Sequence, residues 1–525
     1  MKWFTRSNCI PKNTLAISFI FAIIVFATGL SGTERAVSAS TFYYVSVDGN
    51  NDNDGRTAES AWKTLQYASY NVPAGSTVRV LPGVYNEKLR IYDSGSASAG
   101  PITFTSYPNK HDAIIDGSGL SVGGGEGLIE IGSSSYVTID GFEVRNYKTT
   151  TLDKVPIGIY VYGSGTKIKL LNNYVHAIES HAKVRDDLSG RDAHGIAVFG
   201  TEAPEALRHV TIDGNTLTDL VLGSSESLVV NGNVDTFAIT NNIVKNNDNI
   251  GIDAIGFEGM VPDEAYDQAR NGVIRGNIVT NITSTNNPSY GTDLPNDSFG
   301  ADGIYVDGGK HIVIEQNKSC GNDIGIEIAS EHLGKTTSDV IVRNNLVCHN
   351  HFTGIALGGY DTERGTTIDS QVSNNTLYMN DTEDLWGGQL LLQYGTKNNA
   401  IVNNIMIAGE GALLISNGFT ENTGNIVDNN LYFTTSGNTY DARWLWKNEL
   451  YTGMNEYQAQ TDNDANSIFA DPLFISEDQE NFRIESDSPA IDQGIDSVPL
   501  GDVDYSGQPR LVGDKVDLGA FEMEK

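Results

Sequence analysis

The sequence predicts an all-β protein, a right-handed parallel β-helix in which short strands stack as successive coils of a solenoid. Two repeated motifs favour this fold. The motif apolar-x-x-Asn-x-apolar recurs eight times, as in "ITNNIV" and "VRNNLV", at spacings of 27 to 42 residues. A Gly-Ile-x-apolar motif, as in "GIYVDG" and "GIEIAS", precedes most of these segments. Units of this length bury their apolar face only by stacking on a neighbour.

Each repeat alternates apolar and polar residues and is rich in β-branched types, which is typical of strands rather than helices. The shortest repeats leave room for three short strands and their turns in each coil. The repeated asparagines are predicted to stack inside the solenoid as a ladder that bonds the turn backbones. They are Asn173, Asn215, Asn242, Asn277, Asn317, Asn345, Asn375 and Asn404.

The two ends depart from the repeat. Residues 42–117 contain one predicted helix, at about 61–71, which would cap the exposed end of the core. The last part of the chain loses the period and is predicted to close the other end as an irregular segment. The predicted parts are a signal peptide at 1–39, an N-terminal cap with the first coils at 40–125, a β-helix with a catalytic groove at 126–435 and a closing segment at 436–525.

The N-terminus predicts secretion. Lys2, Arg6 and Lys12 precede an apolar run at about 15–30, and small residues follow before Ser40. This order is typical of a cleaved secretory signal, so the mature protein is expected to be extracellular and free of the membrane. An uncleaved anchor is the alternative, because the run approaches the length that spans a bilayer.

The charge restricts the class of partner. The formal net charge is −33, and it is about −36 once the basic first 39 residues are set aside. A nucleic-acid partner is therefore excluded, because it needs a basic surface. A polyanionic polysaccharide would also be repelled unless a basic patch or a bound cation reverses the local field. The expected partner is a polysaccharide or an oligosaccharide, and the protein is expected to be a monomer.

Cysteine does not organise the predicted fold. Cys9 belongs to the predicted signal, which leaves Cys320 and Cys348. These two occupy the same place relative to their ladder asparagines and should stack in adjacent coils. That distance permits a disulfide, but we expect two inert buried thiols.

The outward face of the second motif carries an unusual group of acids. Its third and fifth positions are predicted to point away from the core, because the second and fourth are almost always Ile, Leu or Val. Three consecutive middle coils have acids there, Asp253, Asp307 and Glu327. Strand spacing and rise place the Cβ atoms of Asp307 and Glu327 about 8 Å apart.

Two carboxylates in a groove with aromatic rings are what glycoside hydrolysis requires, one to protonate the leaving oxygen and one to attack or to activate water. Crowded like charges raise the pKa of one partner and so supply the acid. We therefore predict Asp307 and Glu327 as the catalytic pair. The spacing leaves both retention and inversion open.

Other residues of the same coils are predicted to contact substrate. Asp302 is either a third acid of the site or a turn residue. His194 and Glu226, at equivalent places in adjacent coils, would line one end of the groove. The predicted substrate-binding residues are Asp253, Asp302, Tyr305, Glu331, His332, His194 and Gln393. Insertions at about 176–193, 258–271 and 283–300 should frame this face, because a regular solenoid needs only short turns.

The terminal segments "YYVSVDGNNDNDG" and "DYSGQPRLVGDKVDLGAFE" resemble those that flank β-helices in extracellular bacterial proteins. With the repeats between them, nearly the whole mature chain resembles the secreted carbohydrate-active enzymes of the pectate-lyase-like superfamily. This resemblance implies the fold. The superfamily contains lyases, hydrolases, epimerases and non-catalytic surface proteins, so the reaction has to be argued from the site.

The stretches "GIYVD" and "NDIGIE" resemble the acid-bearing coils of the β-helical xylosidases of glycoside hydrolase family 120. This resemblance implies Asp307 as the nucleophile and Glu327 as the acid/base, and no cofactor is required. It does not carry the substrate over.

A calcium-dependent lyase that cleaves uronate-containing glycans by β-elimination is the alternative. Ca²⁺ would be held by Asp302, Asp307, Asp323 and Glu327. A Lys or Arg would abstract the proton, yet no outward third or fifth position carries one. The cations that would have to reach in are Lys310, Arg270, Arg364 and His194. A second alternative is a non-catalytic glycan-binding surface protein, in which the acids are solvated or hold a structural calcium ion.

Overall fold

The computed structural model describes residues 41–523, so the predicted signal peptide at 1–39 lies outside the described residues. Strand accounts for 44% of the structure, and the strands form three long parallel sheets. Each coil passes through the three sheets in turn. The predicted right-handed parallel β-helix is confirmed. None of the helices in this part of the chain combines the length and the apolarity needed to cross a bilayer.

Sheet 1 carries the Gly-Ile motif, and all but its last strand pair in parallel. Its strands are Leu89–Ile91, Gly125–Gly132, Val155–Gly163, His194–Gly200, Leu228–Gly232, Ile252–Ile255, Asp302–Asp307, Ile324–Ala329, Thr353–Leu357, Leu390–Leu392, Leu413–Asn417, Arg443–Trp446 and Glu449–Thr452.

Sheet 2 follows sheet 1 in each coil. Its strands are Thr41–Val45, Ser76–Val80, Ile102–Ser106, Val137–Asp140, Gly165–Thr166, Ile168–Leu171, Leu207–Asp213, Val234–Thr240, Arg270–Arg275, Lys310–Glu315, Thr336–Ser338, Ile341–Arg343, Thr366–Ile368, Gln371–Ser373, Thr396–Lys397, Ala400–Val402 and Ile426–Asp428.

Sheet 3 completes the coil. Its strands are Gly83–Tyr85, Ala113–Asp116, Glu143–Thr149, Tyr174–Ser180, Thr216–Thr218, Ile243–Asn247, Ile278–Ile282, Lys318–Cys320, Leu346–Cys348, Thr376–Tyr378, Ile405–Ala408, Leu431–Thr434 and Ile468–Phe469.

The core consists of apolar residues stacked in register from coil to coil. In sheet 1, Ile304 lies beside Ile326 and Val306 beside Ile328, and all four side chains are fully buried. These are the second and fourth positions of the Gly-Ile motif, as the alternation predicts. One register therefore buries one apolar column after another along the whole solenoid.

The predicted asparagine ladder is present at the turn between sheets 2 and 3. Each side-chain Nδ2 donates to the Oδ1 of the next asparagine at 2.9 to 3.1 Å. Each Nδ2 also donates to a backbone carbonyl of the preceding coil, as Asn317 does to Ile274. The ladder extends one coil beyond the eight predicted members, to Asn430.

A second, shorter ladder was not predicted. Asn322, Asn350 and Asn380 follow the main ladder by five residues, and their side chains bond the backbones of adjacent coils. Asn247 holds the equivalent place in an earlier coil and accepts a hydrogen bond from the Leu220 N–H. The fixed offset from the first ladder is a sequence signal that identifies this one.

The capping helix begins later than the predicted residue 61. It covers Leu65–Asn71 because Trp62 is still paired with Val45 in a β-bridge. Thr64 caps the helix by accepting a hydrogen bond from the Tyr67 N–H. The Glu87 carboxylate accepts two further first-turn N–H groups.

The closing segment is more regular than the sequence predicts. It contains the antiparallel end of sheet 1, a helix at Met454–Thr461, a 3₁₀ turn at Glu477–Gln479 and a hairpin of Phe474–Ser476 with Asn481–Ile484. Tyr457 on the helix stacks on Trp444 with ring centroids 5.2 Å apart. The aromatic stack closes the core at this end.

The expectation of two free thiols is wrong. Cys320 and Cys348 form a disulfide between adjacent coils. Their strands pair in register, Cys320 beside Cys348, so the ladder spacing alone brings the two sulfur atoms together. The stacking predicted from the spacing is correct, and only the predicted oxidation state of the two cysteines is wrong.

Candidate active site

The middle coils of sheet 1 place the predicted acids in the predicted columns. Asp253 lies beside Tyr305, and Tyr305 lies beside Glu327. Asp307 lies beside Ala329, two residues further along the strand than Glu327. The two carboxyl-bearing residues are therefore diagonal neighbours on adjacent strands.

These side chains point away from the core but are not exposed to solvent. Asp253 is 1%, Asp307 is 4% and Glu327 is 5% exposed. Insertions at 258–271 and 283–300 cover the face from its two sides, which is where the sequence predicts framing loops. A strand face that would be open in a plain solenoid is therefore a cavity here.

The 283–300 insertion is held down by side-chain hydrogen bonds. Asn287 Nδ2 donates to the carbonyl oxygens of Gly223 (2.6 Å) and Asp248 (2.8 Å). The Tyr290 hydroxyl donates to Asn249 Oδ1 at 2.7 Å. These contacts bring Tyr290 and the following loop residues over the acids.

Asp323 anchors the same insertion and does not belong to the acid cluster, contrary to the calcium alternative. Its Oδ2 accepts hydrogen bonds from the Ser284 N–H (2.7 Å), the Ser284 hydroxyl (2.9 Å) and the Ala301 N–H (3.1 Å). Its Oδ1 lies 2.9 Å from His351 Nδ1. Asp323 is fully buried and has all its oxygens paired, so its role is to fix both ends of the loop.

The 258–271 insertion supplies a further acid, Glu258. Asp267 folds this loop by accepting hydrogen bonds from the Gly259 N–H (2.6 Å) and the Met260 N–H (3.1 Å). Asn231 Nδ2 contacts Glu258 Oε2 at 3.3 Å. The loop thus holds the Glu258 carboxylate at the rim of the covered face.

The enclosed space, which we call the acidic cavity, has a volume of about 610 Å³. Its aromatic lining residues are Tyr290, Phe299, Tyr305, Phe352 and Tyr360. Its carboxylate lining residues are Glu226, Asp253, Glu258, Asp302, Asp307, Glu327 and Glu331. A hollow of about 790 Å³ at the C-terminal end holds only two acids, both exposed, so it offers no comparable site.

Glu327 is held between two neighbours. Gln393 Nε2 donates to Glu327 Oε1 at 2.5 Å, and the Asp302 carboxyl is hydrogen-bonded to the Glu327 carboxyl. Burial raises the pKa of Glu327 to about 7, although these two hydrogen bonds oppose the rise. Burial and the Glu327 charge raise the pKa of Asp302 well above its usual range. Asp302 lines the cavity beside Glu327, and the two carboxyl groups form a hydrogen-bonded pair.

Asp307 lies on the other side of the cavity floor. Its Oδ1 accepts the Glu331 N–H at 2.8 Å. Burial, followed by the charge of Glu331, raises the pKa of Asp307 well above its usual range. Burial also raises the pKa of Glu331, opposed by the nearby Arg364 guanidinium.

Three residues between the floor and the rim of the cavity have the spacing of cation ligands. One ligand atom each from Glu258, Asp307 and His332 lie within 4.8 Å of one another. Two carboxylates and an imidazole are a donor set that accepts a divalent metal ion. His332 Nε2 is buried and has no hydrogen-bond partner among residues 41–523, which is consistent with a ligand at this place.

Basic side chains lie outside the acidic cavity. Among the described residues, no Lys or Arg lines it. Arg364 stacks on Tyr360 at 4.4 Å, and Arg270 donates to Gln268 O and Asn233 Oδ1 away from the cavity. His194 is not a lining residue, but its Nδ1 lies 3.3 Å from the lining acid Glu226.

Several polar atoms of the site have no partner within residues 41–523. They include Asp253 Oδ1, which belongs to a cavity-lining residue, and Oδ1 of Asn231, which contacts Glu258; both residues are at least nine-tenths buried. Buried polar atoms without partners are rare because each costs about 1–3 kcal/mol. The Asp253 oxygen lies in a cavity lined by carboxylates and aromatic rings, where a ligand can reach it.

The structure brings most predicted residues together. Asp253, Asp302, Tyr305, Asp307, Glu327, Glu331 and Gln393 all line the acidic cavity, and His332 lies at its rim. Lining residues that the sequence analysis missed come from insertions and turns: Glu258, Tyr290, Phe299 and Phe352. An acid and three aromatics beside the middle coils are the signal that could have identified them.

The fold and the cavity define a right-handed parallel β-helix protein with a buried acidic site on one sheet. No protein-family model matches the chain. The chain is 42% identical to the uncharacterized protein YwoF of Bacillus subtilis (strain 168) over 452 residues, 86% of this chain and 92% of the relative. It belongs to the family of YwoF.

Three solved structures are similar to this chain. The A-module of mannuronan C-5 epimerase AlgE6 from Azotobacter vinelandii has a TM-score of 0.50 and 13% identity, covering 78% of this chain and 93% of that chain. A complex of XylC with xylose has a TM-score of 0.49 and 12% identity, covering 92% and 98%. Pectate lyase Pel9A has a TM-score of 0.48 and 15% identity, covering 93% and 98%.

Proposed function

We propose that this protein is an enzyme that degrades a polysaccharide or an oligosaccharide as a glycoside hydrolase. Glu327 is the general acid, and Asp307 is the nucleophile or the base that activates water. One observation carries the proposal. Two carboxyl groups on adjacent strands face one covered cavity, which no described Lys or Arg lines.

The surroundings of Glu327 suit a general acid. A pKa of about 7 leaves a substantial protonated fraction at neutral pH, and an acid is most effective when its pKa lies near the working pH. Gln393 and Asp302 hold the carboxyl in one orientation. The pair shares a hydrogen bond, so Asp302 would help Glu327 to regain its proton after Glu327 has given it to the leaving oxygen.

Asp307 is assigned its role by position. It is the carboxyl on the cavity floor diagonal to Glu327, and the Glu331 N–H orients it. A bound sugar between the two residues would have an acid on one side and a carboxylate on the other. Burial opposes ionisation of Asp307, so a positively charged group beside it would favour its active form.

A glycan substrate is also supported by the fold relative. The epimerase module that shares this fold acts, by its name, on the polysaccharide mannuronan. The likeness extends to the fold alone, so the reaction has to be argued from the acidic cavity.

The test is a screen of neutral and charged polysaccharides with purified protein, read for new reducing ends. Glu327→Gln and Asp307→Asn should each lower kcat by about 10²–10⁴-fold, because each removes a group that takes part in proton transfer or bond formation. Glu363→Gln is the matched control, since Glu363 is exposed on the neighbouring loop and does not line the cavity. Full activity in both site variants would refute the assignment, and binding without turnover on any glycan would favour a binding protein.

A calcium-dependent lyase is the second candidate, favoured by the Glu258 and Asp307 carboxylates, which each place an oxygen atom within 4.8 Å of the other as two ligands of one ion would. The same screen distinguishes it. Loss of activity in EDTA, recovery with Ca²⁺ and products with the ultraviolet absorbance of an unsaturated uronate would select the lyase. Reducing ends that form equally with and without EDTA would select the hydrolase.

A further inference from the structure

The acidic cavity collects carboxyl groups to an unusual degree. Seven carboxyl groups line a volume of about 610 Å³, and no Lys or Arg among the described residues lines it. The nearest basic groups act at the rim, where Arg364 faces Tyr360 and Glu331, and His194 faces Glu226. Four of these carboxyl groups, on Asp253, Asp302, Asp307 and Glu327, are at least nine-tenths buried, and a positively charged ligand would offset the cost of ionising them there.

Acceptor atoms in this cavity also lack donors. Asp253 is 1% exposed and its Oδ1 has no hydrogen-bond partner within residues 41–523. Asp253 lines the cavity beside Tyr305, so the unpaired oxygen belongs to the same space as the proposed catalytic pair. A ligand that fits must bring both donors and positive charge.

We infer that the substrate of the proposed hydrolase is a glycan of amino sugars with free, unacetylated ammonium groups. The inference rests on the proposed function and names the substrate class of the same site. An ammonium group offers three donors and a full positive charge, which the unpaired Asp253 oxygen and its neighbouring carboxylates can accept. The aromatic lining provides flat surfaces for the apolar faces of pyranose rings.

Competing ligands match the cavity less well. A uronate would add an anion to seven carboxyl groups without a cation to receive it. A divalent ion at Glu258, Asp307 and His332 would compensate that corner, but it would bring no hydrogen-bond donor to the unpaired Asp253 oxygen. Ammonium groups carried on successive sugar rings can compensate several of these acids at once.

The experiment is calorimetric binding to the Glu327→Gln variant, which cannot turn substrate over under the proposed mechanism. The probes are glucosamine oligomers, N-acetylglucosamine oligomers and galacturonate oligomers of equal length, in mildly acidic buffer that keeps the amines protonated. We expect the glucosamine oligomer to bind at least about tenfold more tightly than the acetylated one. Adding Asp253→Asn should remove most of this preference, whereas adding Glu363→Gln should leave it intact.

The outcomes separate this inference from the proposed function. Equal or tighter binding of the acetylated or the galacturonate oligomer overturns the amino-sugar inference, even if wild-type protein hydrolyses a neutral glycan. Tight binding of Ca²⁺ alone, with no preference among the sugars, overturns it in favour of a metal site. Selective binding of the glucosamine oligomer with no cleavage by wild-type protein keeps the ligand class and refutes the hydrolase.

Discussion

The asparagine ladder and the acidic cavity are both columns of buried polar side chains on the same coils, and they differ in how those side chains are paired. In the ladder each member donates and accepts within the stack, as Asn317 does with Asn277 and Asn345. In the cavity Asp253 retains an oxygen atom without a partner among the described residues. The ladder therefore satisfies its own buried polar groups, whereas the acidic cavity leaves an acceptor that a ligand can complete.

The difference follows from the residue types. An asparagine amide carries both donors and an acceptor, so identical side chains stack without charge and bond one another. Carboxylates only accept when ionised, so neighbouring acids repel and take up protons instead. Burial and the neighbouring carboxylates therefore raise the pKa of Asp253 and Asp307. The same scaffold is stabilised by the asparagine column and destabilised by the carboxyl column.

The largest expected effect comes from breaking the ladder. Asn317→Ala removes hydrogen bonds to the Ile274 carbonyl and Asn345 Oδ1 and leaves the Asn277 N–H without an acceptor. We expect the free energy of unfolding to fall by about 3 kcal/mol, because these groups remain buried. Urea unfolding followed by tryptophan fluorescence measures it. Asn455→Ala, at an exposed position, is the control and should change stability little; an equal loss in both variants would contradict the role of the ladder.

The ladder and the coil architecture could be predicted from the sequence because both are periodic. A repeat every 27 to 42 residues with one Asn at a fixed place indicates stacking whatever the intervening loops contain. The shorter ladder of Asn322, Asn350 and Asn380 shares that period and could have been found by the same alignment. The disulfide could be located to two residues, while the oxidation state could not be read from spacing.

The second prediction concerns Asp323, which fixes both ends of the 283–300 insertion over the cavity. Asp323→Ala leaves the N–H groups of Ser284 and Ala301 without their acceptor. We expect stability to fall by about 2 kcal/mol, because two buried donors lose their partner. Limited proteolysis should cut within 283–300 faster than in wild-type protein, since that loop loses the contact that fixes both its ends.

Asp297→Ala is the matched control for the Asp323→Ala variant. Asp297 is exposed in the same insertion, so its loss removes a charge from the loop without touching the anchor. Unchanged proteolysis in the Asp323 variant, or equal acceleration in both variants, would contradict the role of Asp323 in fixing the 283–300 insertion.

The candidate site was predictable only where it lies on strands. The alternation of core-facing and outward-facing residues along a strand determines the direction in which the side chains of Asp253, Asp307 and Glu327 point. Their places in the outward third and fifth positions therefore follow from the Gly-Ile motif. Glu258 comes from an insertion without a period, and its place depends on hydrogen bonds such as those to Asp267. The same insertions cover the acids, so burial, and with it the shifted pKa values, could not be inferred from strand spacing.

The smallest expected effect comes from removing the charge of one carboxyl group, that of Asp253, from the acidic cavity. Burial and the charges of Glu226 and Asp307 raise the pKa of Asp253 well above its usual range. Between the unfolded-chain pKa, about 4, and the higher folded value, the folded state binds more protons than the unfolded chain, so this group lowers stability as pH rises. Asp253→Asn keeps the shape, removes the charge and gives its amide to neighbouring carboxylates.

We therefore expect Asp253→Asn to be more stable than wild-type protein by about 1 kcal/mol near neutral pH, with the gain shrinking toward about pH 4. Melting temperatures of both proteins across this pH range measure it. Asp361→Asn, in the loop beside the cavity, serves as the control because Asp361 does not line it. Asparagine in the ladder stabilises by pairing, whereas asparagine at position 253 would stabilise by removing repulsion. A variant less stable than wild-type protein at every pH would mean that the Asp253 carboxyl is already satisfied and that the contrast between the two columns is wrong.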